Sequence, residues 1–98
     1  MKLERIDHSM YTDFYHCDIT RLLDQACNNK EKHYLYISTR DGKMCIRIYT
    51  SERIVGGIWT DENCVINKIQ FGYDLIGFYG ADINAKLQQF VGDRLELI

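Results

Sequence analysis

His33–Thr50 reads HYLYISTRDGKMCIRIYT, and the fold of the chain turns on how this stretch is read. At its centre, Asp41-Gly42 is the signal of a two-residue type I′ turn. Such a turn needs φ > 0 at both central positions, which Gly adopts freely and Asp tolerates. The flanks alternate and are rich in Ile, Tyr and Thr, the residues that suit a pleated strand. A turn at Asp41-Gly42 fixes the register, because each step outward pairs one residue from each flank. Arg40 then faces Lys43 beside the turn, and on one face Thr39 meets Met44, Ile37 meets Ile46 and Leu35 meets Ile48. On the opposite face Ser38 meets Cys45, Tyr36 meets Arg47 and Tyr34 meets Tyr49. Aliphatics meet aliphatics and aromatics meet aromatics, which supports the hairpin independently of the turn.

Working outward, Arg53–Thr60 predicts a third strand. Plain alternation puts Val55 and Trp59 on the face of Ile46 and Ile48, and Ile54 and Ile58 on the tyrosine face. Gly56-Gly57 inside a strand marks a bulge or a close approach to the backbone. Asp61-Glu62-Asn63 is a turn. Cys64–Phe71 predicts a fourth strand with Val65, Ile69 and Phe71 inward, although Val65, Ile66 and Ile69 also suit a short helix. Residues 72–80, GYDLIGFYG, predict a short strand or an ordered loop.

Upstream, Tyr11, Phe14, Tyr15, Ile19, Leu22, Leu23, Ala26 and Cys27 recur at three- and four-residue steps, the stripe of an amphipathic helix. Ser9 could cap a long version of it and Asp18 a short one, with Asn28-Asn29 as its end. Residues 11–17 are poor helix formers, so 18–28 is the firm part. Downstream, Asp82 opens a second helix with Ile83, Leu87, Phe90 and Val91 on its buried stripe and Gly92 after its end. Residues 2–7 and Leu95–Ile98 could each add an edge strand. The expected architecture is a single α+β domain over residues 1–98: an antiparallel four- to five-stranded meander with an N-terminal and a C-terminal helix packed on one face.

Composition sets further bounds. A hydrophobic content of 46% and a charged content of 27% are those of a globular chain. The formal charge of −2 gives no global attraction to nucleic acid or anionic membrane. No apolar run approaches the length of a membrane span, and MKLERID lacks the apolar core of a signal peptide, which together point to the cytoplasm. The charge is uneven: residues 30–53 carry a net +3, whereas residues 1–29 carry −2 and residues 54–98 carry −3. The four cysteines, Cys17, Cys27, Cys45 and Cys64, are irregularly spaced and are expected to be reduced thiols.

Motifs for chemistry are sparse. His16-Cys17 is the only close pair of metal-ligand types, and adjacent positions do not converge on one ion, so no metal or cofactor is expected. A Cys–His nucleophile drawn from Cys17 or Cys45 with His8, His16 or His33 has no supporting motif. Gly56-Gly57 and Gly77-x-x-Gly80 match no phosphate-binding loop. What stands out is the tyrosine face of the hairpin. Tyr34, Tyr36, Arg47 and Tyr49, with Gly56 leaving room beside them, make a candidate binding surface, since aromatics and arginine are the types enriched at interface cores. Tyr36 opposite Arg47 is placed for a cation–π contact. The blander reading of the tyrosines is as ordinary cross-strand pairs half covered by a helix or loop.

The function expected is a non-catalytic binding module, a homodimer presenting this face to a protein partner or small ligand. The alternatives are single-stranded nucleic-acid binding through the basic hairpin, and a small enzyme with an inconspicuous site.

Overall fold

The computed structural model describes residues 1–6, 14–40, 43–72 and 76–97. In chain order the elements are β1 (Lys2–Arg5), β2 (Phe14–His16), α1 (Asp18–Ala26), β3 (Tyr34–Arg40), β4 (Lys43–Tyr49), β5 (Ile54–Thr60), β6 (Ile66–Phe71), α2 (Ile76–Tyr79), α3 (Ile83–Gln88) and β7 (Glu96–Leu97). The strands form one sheet in the order β6-β5-β4-β3-β2-β1-β7, an antiparallel meander closed by a parallel β1–β7 pair. The chain is therefore α+β, with seven strands among the described residues where four or five were expected.

The hairpin forms in the register read from the sequence, from Arg40↔Lys43 out to Tyr34↔Tyr49. The turn Asp41-Gly42 itself lies outside the described residues, as do Ser9, Tyr11 and Ile98. Burial alternates as the register requires: Leu35, Ile46 and Ile48 are buried, while Tyr34, Tyr36 and Tyr49 are half-buried and Arg47 is exposed.

The extra strands come from three places. Phe14–His16, read as the uncertain half of a helix, pairs with both β1 and β3. The helical spacing of Phe14 and Tyr15 with the residues beyond them is genuine, but Phe, Tyr and His favour extended backbone and here have strands on both sides. The helix begins only at Asp18. Its start is fixed by Thr20, whose hydroxyl accepts from the Cys17 N–H at 3.0 Å and donates to the Cys17 carbonyl at 2.9 Å. Asn28 and Asn29 end it in the left-handed region, at φ 57° and 59°. The two termini supply β1 and β7.

The last segment joins both margins of the sheet. Ile66 N–H donates to the Asp93 carbonyl at 2.8 Å, Gly92 N–H to Ile66 at 2.7 Å and Leu95 N–H to Cys64 at 2.9 Å. Residues 96–97 then pair with Lys2 and Leu3. The C-terminal strand, which would be an open edge in isolation, finds its partner within the chain. Gln88 Nε2 donates to the Ile69 carbonyl at 3.1 Å and covers part of the other margin.

Buried side chains form one cluster. Sheet residues Leu3, Leu35, Ile46, Ile48, Val55, Ile58, Ile66, Ile69 and Phe71 pack with Ile19, Leu23, Ile83 and Leu87 of the helices. Two irregularities decide which residues join it. A bulge between Ile48 and Tyr49 sets Tyr49 opposite Ile54 but Ile48 opposite Gly56, leaving Val55 as the additional residue. A second, between Trp59 and Thr60, pairs Thr60 with Ile66. The face assignments from plain alternation are corrected accordingly. Ile58 is buried opposite Ile46, Trp59 lies on the outer face at 39% exposure, and Ile66 takes the inward place expected of Val65. Residues 76–79, within the stretch read as a short strand or loop, form a single helical turn.

Candidate binding face of the sheet

The strand registers place one row of residues across five strands: Phe14, Tyr36, Arg47, Gly57 and Gln70. On β3 to β6 this row alternates with residues of the buried cluster or packed against it, which puts it on the opposite face. A second row sets Tyr34 beside Tyr49 and Tyr49 beside Ile54, which is 53% exposed. The rings are in mutual contact. Phe14 and Tyr34 have centroids 4.9 Å apart at 69°, Phe14 and Tyr36 5.7 Å at 54°, and Tyr36 and Tyr49 6.0 Å at 79°. The two edge-on pairs and the tilted Phe14–Tyr36 pair suit the ring quadrupoles and join the side chains into one patch.

Where the first row reaches β5, the missing side chain of Gly57 leaves a notch. A Cβ on Gly57 would lie 3.2 Å from the Trp59 ring and 3.3 Å from Arg47 Nη1. The guanidinium and the indole therefore converge over bare backbone. Around them opens a cleft of about 330 Å³ whose lining includes Arg47, Ile54, Gly56, Gly57, Trp59, Gln70 and Phe71. Lys68, opposite Trp59 on β6, holds its ammonium 4.9 Å from the indole ring centre. This is the cation–π pair among the described residues of the face; the guanidinium of Arg47, expected over Tyr36, leans to Gly57 instead. Arg47 makes no ion pair or hydrogen bond with any described residue.

Tyr34, Tyr36, Arg47 and Tyr49 are thus brought together on one surface. Gly56 borders the same cleft from the other register. It stands opposite Ile48, and a Cβ there would meet the Gln70 carbonyl oxygen at 2.5 Å. Its bareness serves strand pairing, and the room beside Arg47 is left by Gly57. Sequence reasoning missed Phe14, Gly57, Trp59 and Lys68 as members of the face. Gly56-Gly57 was the available signal, since a bulge beside it reverses the side on which Trp59 falls.

A second polar constellation lies in the interior. The Nδ1 atom of His33 is 2.7 Å from Asp24 Oδ1, and the same oxygen accepts the His33 backbone N–H at 2.7 Å. The Nε2 atom of His33 is 2.6 Å from the Tyr79 hydroxyl. An ionised carboxylate only accepts, so a neutral ring carries its hydrogen on Nδ1 and takes the phenol hydrogen at Nε2. Burial, and next the charge of Glu31, push the Tyr79 phenol well above its usual range. Burial likewise raises the Cys17 thiol. An Asp–His–Tyr series has the form of a catalytic relay, but His33 is fully enclosed and Tyr79 only 4% exposed. No substrate atom reaches it, and its effect is to tie α2 to α1 and the start of β3.

No known protein family matches the chain, and no characterised protein or solved structure is significantly similar to it. The function is therefore argued from the surface itself. Among the described residues no group of three or more His, Cys, Asp or Glu could hold a metal ion, and no helix is long and apolar enough to cross a membrane. The four cysteine sulfurs are unpaired.

Proposed function

We propose that the protein is a non-catalytic interaction module whose working surface is the tyrosine–arginine face of the sheet. The observation that carries this reading is the guanidinium of Arg47, which has no ion pair or hydrogen bond to any described residue and is set in an aromatic row beside a cleft. Such an arrangement offers large area at low entropic cost together with one strong, oriented donor group. In this reading the helices pack on the buried face, whose core their apolar residues share, and the outer face stays clear for a protein partner or small ligand.

Self-association through the same face is the less favoured form of the reading. An isologous contact would set this face against its own copy, and none of the residues named on it is acidic, so Arg47 and Lys68 would be buried there without a carboxylate partner. Sedimentation at tens of micromolar distinguishes the two. A dimer that dissociates when Tyr36→Glu and Tyr49→Glu are combined would identify a second copy as the occupant. For a monomer, the same double variant tests the reading directly. It is expected to fold with little change in melting temperature, because the rings are half-exposed, yet to lose the partners that co-purify with the parent protein from its source cell. A folded double variant that keeps every such partner would overturn the proposal.

A further inference from the structure

We infer that the notch over Gly57 is the recognition point for a carboxylate side chain of an acidic peptide segment, whose apolar neighbours lie along the aromatic row. The inference rests on the reading of the outer sheet face as the binding surface and adds the chemistry of its occupant. Three observations point to it. Arg47 presents a planar guanidinium with no ion pair or hydrogen bond to any described residue, and carboxylates match that fork in two-point fashion. Among the described residues, those that line the cleft include no acid. A space of about 330 Å³ is at the small end of ligand sites, enough for one or two side chains rather than an extended cofactor. The face continues from the cleft through Tyr36 to Phe14 and alongside through Ile54 and Tyr49. An occupant anchored at Arg47 therefore has a further apolar surface to cover, as a peptide does and an isolated small acid does not.

The same observations disfavour a nucleic-acid strand. Base stacking needs a ring face open to solvent, but Lys68 lies over the Trp59 indole at the cleft. A formal charge of −2 gives the chain no overall attraction for a phosphate backbone.

Trp59 is the only tryptophan in the chain, so its indole N–H resonance and its fluorescence report on this notch alone. The full chain is titrated with a twelve-residue peptide in which Asp and Glu alternate with Phe and Leu. Its twin with Lys in place of the acids, a twelve-nucleotide single-stranded oligothymidylate and inorganic phosphate are titrated alongside. The acidic peptide is expected to shift the Trp59 indole signal saturably, and neither the lysine twin nor phosphate to do so. Arg47→Gln should weaken the peptide about tenfold or more while leaving the melting temperature in place, because a charge-assisted two-point contact is lost. Gly57→Ala, which presses a methyl group against both Arg47 and Trp59, should act in the same direction.

No response at Trp59 up to millimolar peptide, an equal response to the lysine twin, or indifference to Arg47→Gln in a folded protein would each overturn the inference. Tighter binding of the oligothymidylate would overturn it in favour of nucleic acid and leave the broader reading of the face standing. The failure of every probe would remove the acidic peptide, whereas the face itself is tested by partner loss in the Tyr36 and Tyr49 double variant.

Discussion

Replacing Tyr79 with Phe removes one oxygen and little else. The ring keeps its edge-to-face contact with Phe71, whose centroid lies 4.8 Å away, and loses the hydrogen bond to His33 Nε2 at 2.6 Å. His33 is fully enclosed, so its Nε2 atom would then be buried without a partner. An orphaned buried acceptor costs about 1–3 kcal/mol. For a domain of this size that corresponds to a fall in melting temperature of about 5–20 °C. The pH profile supplies a second readout. In the folded protein Tyr79 holds its proton more tightly than in the unfolded chain, where the phenol titrates near its ordinary value of 10.0. Below that pH both states are protonated and the contribution of the group is complete. Above it the unfolded chain releases the proton first, and stability falls as pH rises toward the folded value. Cys17 adds a loss of the same sign beginning near its ordinary value of 9.0. The Tyr79→Phe variant should therefore start lower but lose less between neutral pH and pH about 11 than the parent does. Thermal unfolding by circular dichroism across this range measures both. A melting temperature within a degree of the parent, with an identical alkaline slope, would refute the buried Asp24–His33–Tyr79 arrangement.

Three further outcomes follow from the packing. Ile46→Ala opens a cavity in the centre of the sheet core and should cost about 2–5 kcal/mol in denaturant unfolding; an unchanged midpoint would mean that this face is not the buried one. Gly56→Ala drives a methyl group against the Gln70 carbonyl, so a loss of about 1–3 kcal/mol is expected, and a stabilised variant would contradict the close approach of β5 and β6. All four cysteines should titrate as free thiols once the protein is denatured without reductant, and two or fewer would contradict the unpaired sulfurs.

The hairpin was legible because two independent signals agreed on it, the turn residues and the cross-strand match of side chains, and its register stands as read. The next strand was legible in extent and not in face. A bulge changes no residue type, so the alternation Ile54, Val55, Ile58, Trp59 reads one way by count and the other way once a residue is added at Val55. That single insertion moved Trp59 from an expected core position to the outer face, and Ile58 in the opposite direction. The β2 strand was hidden for a different reason. Phe14 and Tyr15 fit the spacing of the helix that begins three residues later, and only long-range pairing with Tyr36 and Leu35 separates the two readings. The Asp24–His33–Tyr79 contact spans 46 residues between histidine and tyrosine, and no local pattern announces a pairing at that separation. Tyr34, Tyr36, Arg47 and Tyr49 could be grouped from sequence because all four lie within the hairpin, whereas Gly57 and Lys68 entered with strands whose registers the bulges had displaced.

Site-specific photo-crosslinking tests the binding face most directly. Benzoylphenylalanine is introduced in place of Tyr36, and in a separate protein in place of Glu62 in the exposed turn before β6, and each is irradiated in the source cell. A partner in contact with the aromatic row gives a discrete adduct from position 36 that is absent from position 62, with the attachment site recovered by mass spectrometry. No adduct from position 36, or the same set of adducts from both positions, would contradict a working surface on this side of the sheet.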